Sequence, residues 1–229
     1  MNKIIKAIQK FYKENNFKKV VIGISGGVDS AVVCALLVKA LGKEKVIPVY
    51  LPNESKTDYA DIKALTKQFK LNLYEKDIHQ AVNDVAKYFK NKLTIANIAS
   101  RIRMVNLYAY ANEFNGFVCG TTNLSEYKIG YFTKYGDGAC DFEPIMHLYK
   151  SQVYELAHVL NLPENIIEKA PSATLWAGQT DEKELGVTYD EIEKYLKKEK
   201  ISKESKLIID KLVKNSYHKR RLPITTSHA

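Results

Sequence analysis

The apolar residues of this chain fall into two alternating rhythms. Short β-branched runs at residues 20–24 and 45–51 read as strands, and so do 72–78 and 117–120. Between them lie longer stretches with helical spacing. Ile4, Ile5, Ile8, Phe11 and Tyr12 form one stripe over residues 1–17. Residues 31–41 are apolar throughout and stop at Gly42. Helical patterns follow over 57–69 (Ala60, Leu65, Phe69), 80–89 and 97–114. Val153, Leu156, Ala157 and Leu160 mark another helix, closed before Pro163. Pro48 inside the second strand argues against a central place for it. This alternation predicts an α/β fold, an open, doubly wound parallel sheet with helices on both faces and right-handed crossovers.

Two segments break the rhythm. Residues 121–143 are polar and Gly-rich, and six aromatic residues in or beside them (Tyr127, Tyr131, Phe132, Tyr135, Phe142, Tyr149) argue for an ordered, functional loop. Residues 171–181, with the single Trp176, form a second irregular stretch. Beyond it, 182–217 reads as charged helix in short pieces, and 218–223 as a basic tail.

Composition narrows the class. With 229 residues, 45% hydrophobic and 27% charged, the sequence fits one globular α/β domain spanning 1–229. No run approaches the roughly 18 apolar residues of a membrane span, and the Lys-rich start has no signal-peptide core. Cys34, Cys119 and Cys140 form no paired motif, which fits a reducing cytoplasm. The net charge of +9 would fit nucleic acid or polyanionic small molecules such as nucleotides, and reads mainly as solvated helix faces. Its lysines are spread evenly, without the basic-aromatic interleaving of a nucleic-acid surface, so no nucleic-acid partner is expected.

The sharpest chemical signal is the string Ser-Gly-Gly-Val-Asp-Ser at residues 25–30, placed after a buried strand and before a helix. Gly26 and Gly27 let backbone N–H groups converge on a phosphate, at a helix N-terminus that favours anions. It lacks the lysine of a Walker A loop. Asp29 beside phosphates requires a divalent cation between them, hence Mg2+. Read alone, the string is also an ordinary strand-turn-helix corner. Because ligands bind beyond the carboxyl ends of parallel strands, the loop and Thr121-Thr122-Asn123 should face one crevice.

The loop resembles the pyrophosphate loop of the ATP pyrophosphatases, which cleave ATP to AMP and pyrophosphate. Further strings narrow the resemblance. They are Gly-Thr-Thr-Asn-Leu-Ser-Glu (120–126), Gly-Tyr-Phe-Thr-Lys-Tyr-Gly-Asp-Gly (130–138), Ala-Pro-Ser-Ala-Thr-Leu (170–175), Asp-Glu-Lys-Glu-Leu-Gly-Val-Thr-Tyr-Asp-Glu-Ile (181–192) and His218-Lys219-Arg220. Together, over essentially the whole chain, they are similar to ammonia-dependent NAD synthetase. That resemblance implies ATP-dependent adenylation of deamido-NAD, attack by ammonia, and release of NAD, AMP and pyrophosphate.

It also assigns residues. Gly23, Ile24, Ser25, Gly26, Gly27, Val28, Asp29 and Ser30 would hold ATP, with Thr121, Lys150 and Ser172. Asp29 and Glu126 would hold Mg2+. Arg101, Lys134, Asp141, His218 and Lys219 would contact deamido-NAD, with Arg103 the alternative to Arg101. Asp137 would hold the incoming ammonium and take its proton. The resemblance further implies a cytoplasmic homodimer. Without it, Arg101 reads as a solvated helix charge, Glu126 as a first-turn acid, Lys134 and Asp137 as turn residues, and 218–221 as a frayed end. A tRNA-modifying ATP pyrophosphatase and a non-catalytic nucleotide sensor are the competing readings. A tRNA enzyme would need an RNA-binding domain or paired cysteines, and the sequence has neither.

Overall fold

The structure, a computed structural model, describes residues 1–53, 58–171 and 180–223. Four parallel strands stand in the order β3-β2-β1-β4: β1 Lys19–Gly23, β2 Val46–Tyr50, β3 Tyr74–Glu75 and β4 Gly116–Cys119. Val20 pairs with Val46 on one side and Phe117 on the other, so β1 is central. Its side chains alternate between two cores, as the pleat demands. Val20 and Ile22 enter one apolar cluster and Val21 the other.

Helices cover both faces. On the first lie α1 (Asn2–Glu14), α2 (Val28–Leu41) and α3 (Tyr59–Gln68), with α7 (Lys150–Val159) and α8 (Glu164–Ile167). On the second lie α4 (His79–Ala86) and α5 (Lys92–Glu113). α2 has no polar face because it lies between the sheet, α1 and α7. A third cluster joins α6 (Leu124–Ile129) to α9 (Asp181–Leu185), α10 (Tyr189–Leu196) and α11 (Lys203–Asn215) around Ile129, Ile192 and Ile209.

Four expectations change in detail. Pro48 lies in a strand with neighbours on both sides, but β3 pairs only with Val49 and Tyr50. At Pro48 the strand is therefore an edge, and its missing N–H breaks no ladder bond to β3. That same pairing shortens the expected third strand to two residues. α5 begins at Lys92 rather than near 97, because the Asn91 side chain accepts the Thr94 amide as an N-cap. The irregular stretch after β4 contains α6, capped by Asn123 and ended by left-handed Gly130.

Candidate active site

The phosphate loop is self-supporting. Ser30 Oγ donates to the Gly27 carbonyl (3.0 Å), and the Gly27 and Ser25 amides reach the Ser25 and Ser30 hydroxyls. Gly26 turns with φ +83°, where a side chain is disfavoured. A Cβ there would also lie 2.6 Å from Asp58 Cβ. Asp58 is paired in turn with Lys169, which also reaches Asp61 at 3.0 Å. α2 starts at Val28, so its first-turn amides, without intrahelical acceptors, border the loop.

Asp29 lies in that first turn, and opposite it stands Glu126 on α6. Lys150, at the start of α7, joins them: its Nζ donates to Asp29 Oδ2 (2.6 Å) and Glu126 Oε1 (3.0 Å). Its side chain is only 4% exposed. Burial opposes the lysine's charge, but Asp29 and Glu126 outweigh it and hold the group firmly as an ammonium. Burial pushes the Glu126 carboxyl up to about 7, against Lys150's attraction and with Asp29's repulsion.

Three further residues orient this trio: Asn123, expected from sequence to face the loop, and Tyr189 and Asp181, to which the sequence assigns no role. Asn123, wholly buried, caps α6 through Oδ1 (Glu126 amide, 3.0 Å) and donates from Nδ2 to Asp29 Oδ1 (2.9 Å). The spacing Asn-x-x-Glu is a capping signature by which the sequence could have revealed this cap. The Tyr189 hydroxyl bonds Glu126 Oε1 (3.1 Å) and Asp181 Oδ2 (2.9 Å). Asp181 also receives Tyr131.

Asp137 stands in a tight turn whose Gly136 approaches Ser100. Its Oδ1 accepts the Ser100 hydroxyl (2.6 Å) and the Thr133 amide (3.0 Å). Arg103, whose ionisation burial disfavours, is electrostatically supported by Asp137 and donates to the Leu51 carbonyl (3.1 Å). Arg101 lies apart from it, with Nη2 on the Lys134 carbonyl (3.2 Å). Lys134 Nζ reaches the His218 carbonyl (2.8 Å), and Lys219 Nζ the Gly130 and Phe132 carbonyls (2.9 and 2.7 Å). The basic tail is thus an ordered turn, Tyr217–Arg220, folded onto the 130–134 segment.

Asp141 is engaged elsewhere, on the Val118 amide and the Tyr108 hydroxyl. Thr121 lies beyond the end of β4, as expected. Ser172 and Trp176 fall outside the described residues.

A glycine-bearing loop and opposed acids at the carboxyl ends of a parallel sheet define a PP-loop nucleotide-binding fold, which the solved structural neighbours share. The sequence matches the family model described as NAD synthase over residues 1–223, and the chain belongs to the NAD synthase family of ligases. It is 42% identical to the NH(3)-dependent NAD(+) synthetase of Pyrococcus furiosus, over 97% of this chain and 93% of that one. The structure of NMN synthetase from Francisella tularensis is similar with TM-score 0.93 and 39% identity, over 98% and 95% of the two chains. The NH3-dependent NAD synthetase from Campylobacter jejuni follows with TM-score 0.82 and 33% identity, over 98% and 96%.

Proposed function

We propose that the chain amidates deamido-NAD with ammonia, using ATP to form an acyl-adenylate and releasing NAD, AMP and pyrophosphate. The observation that carries this reading is the Asp29–Lys150–Glu126 bridge beside the phosphate loop. The substrate's own carboxylate attacks the α-phosphorus, so the protein needs no nucleophile. Its work is alignment and charge compensation. Loop amides receive the phosphates, and Lys150 offsets the charge that grows as pyrophosphate departs.

Mg2+ fits this site. Two buried carboxylates converge on one cationic point, and hard oxygen donors completed by phosphates are what that ion prefers. Asp29 and Glu126 would hold it, and it would supply Lewis-acid stabilisation of the phosphoryl oxygens. The cations around residues 130–134 (Arg101, Lys134, His218, Lys219) would receive the dinucleotide, and Asp141, held by the Val118 amide and the Tyr108 hydroxyl, would be a further contact. Asp137 would hold ammonium.

Exposed Val85, Tyr88, Phe89 and Leu93, close together in sequence between the end of α4 and the start of α5, would suit a homodimer contact there. Among the described residues, no helix is long and apolar enough to cross a membrane. The cysteines Cys34, Cys119 and Cys140 are free, in keeping with a cytoplasmic setting.

Nuclease-treated protein given deamido-NAD, ATP, Mg2+ and ammonium should yield NAD with AMP and pyrophosphate. Products of ADP and phosphate, or a requirement for RNA, would overturn the reading. A second reading is favoured by the 0.93 superposition on an NMN synthetase: the acceptor is nicotinate mononucleotide. The kcat/KM ratio for the two acids decides between them.

A further inference from the structure

Another acid stands at the carboxyl end of β4, apart from the Asp29–Lys150–Glu126 trio. Glu143 Oε2 accepts the Thr122 amide (3.1 Å) and Oε1 the Cys140 thiol (3.3 Å). The carboxyl lies so close over Gly120 that a Cβ there would be 2.3 Å from Oε1. Among the described residues, no lysine, arginine or histidine forms an ion pair with it. The titratable groups around it are Cys140 and Cys119, with Asp141 beside those thiols, and Asp137 from the neighbouring turn. Arg103 and Lys219 are among the cations that feel the charge of Asp137.

Burial pushes the Glu143 carboxyl up to about 7; hydrogen bonds from Cys140 and Thr122 oppose this, and Asp137 adds to it. A largely buried acid with no ion-pair partner among the described residues is costly, and the oxygen of an amide would cap Thr122 equally well. The cost is explained if a cation arrives during turnover, and the nitrogen donor of the proposed reaction arrives as ammonium.

We propose that Glu143 is a catalytic residue of the nitrogen-transfer step, its carboxylate binding ammonium beside Asp137 and taking one proton from it. The assignment rests on the amidating function proposed above. Ammonium gives a proton to the carboxylate, leaving neutral ammonia and a carboxylic acid. The ammonia lone pair forms the C–N bond at the acyl carbon. The C–O bond to AMP then breaks, with its electron pair leaving on the phosphate. The nitrogen's remaining surplus proton passes to water, and Glu143 returns its own to solvent once the product has gone. An acceptor that titrates near neutrality suits this transfer better than an ordinary carboxylate.

Glu143→Gln keeps an oxygen for Thr122 and removes the charge. Two quantities are read: pyrophosphate release without ammonium, and kcat/KM for ammonium from about pH 6 to about pH 9. Pyrophosphate release should stay within about twofold of wild type, while KM for ammonium rises about tenfold. The wild-type fall in kcat/KM below about pH 7 should vanish in the variant. Normal pyrophosphate release with an unmoved ammonium KM and pH profile overturns Glu143 alone. A wild-type protein that releases no pyrophosphate overturns the functional reading and this assignment with it. Should the variant fail to fold, thallium(I), an ammonium-sized ion, is soaked into wild-type crystals. An anomalous peak between Glu143 and Asp137 that ammonium displaces supports the assignment, and its absence rejects it.

Discussion

The crevice holds two acidic groupings under opposite electrostatic regimes. Asp29 and Glu126 share one buried ammonium from Lys150, which offsets one of their two charges from within the protein. Among the described residues, Glu143 receives an amide and a thiol but no cation. Both carboxyls, Glu126 and Glu143, are driven up to about 7 by burial, yet only one has a resident cation. The difference separates scaffolding from waiting. In the proposed reaction the first grouping would keep its shape for a metal-nucleotide complex, whereas the second would be completed by a small cation.

The largest effect expected on this contrast comes from deleting the shared cation. Lys150→Met should cost about 3–5 kcal/mol in denaturant unfolding, because two buried acids lose their partner. The loss should be smaller at about pH 5 than at about pH 8, since Glu126 takes up a proton below about 7. An equal loss at both pH values would show that the bridge does not carry this electrostatic load.

Next comes Asp29→Asn, which leaves Lys150 paired with Glu126. Turnover should fall at least about a hundredfold with the fold intact. Near-normal turnover would remove Asp29 from the metal site. Tyr189→Phe removes the single hydroxyl donor that Glu126 and Asp181 share and should cost about 1 kcal/mol. It should also raise the Mg2+ concentration needed for half-maximal pyrophosphate release severalfold; an unchanged metal requirement would leave Tyr189 a packing residue.

The smallest effect has the opposite sign. An acid whose folded-state titration is raised holds its proton where the unfolded chain has lost it. Stability therefore falls as pH rises from about 4.5 to about 7, and the cost is complete above that. Glu143→Gln should thus stabilise the protein by about 1 kcal/mol at about pH 8, after discount for its partial exposure, and be neutral at about pH 4. Thermal melts at both pH values test this, and equal shifts would mean that Glu143 carries no such strain.

Local features of this site were legible in the sequence, and its long-range pairings were not. The strand, the two glycines and Asp29 are contiguous, so their geometry follows from turn and helix chemistry alone. The parallel sheet follows from the alternation of short β-branched runs with helical stripes. Asn123 carried a readable cap signal, three residues ahead of Glu126, within a stretch otherwise marked irregular. Lys150 looks like any helix-first-turn lysine until the fold sets it against Asp29. Glu143 is still less visible: a lone glutamate after an aromatic residue has no period and no motif, and its character comes from Gly120 and Cys140 closing around it. His218–Arg220 reads as a solvated tail because carbonyls that receive a lysine leave no mark in a sequence.

The Lys150–Asp29 bond spans 121 residues of chain, and Lys219–Gly130 spans 89. Contacts so remote close late in folding, after the entropy of large loops has been overcome. A half-folded form would therefore lack the Lys150 bridge beside the phosphate loop. ATP should act as a reporter of completed folding, raising the melting temperature in proportion to its occupancy and leaving partially structured species unprotected from proteolysis.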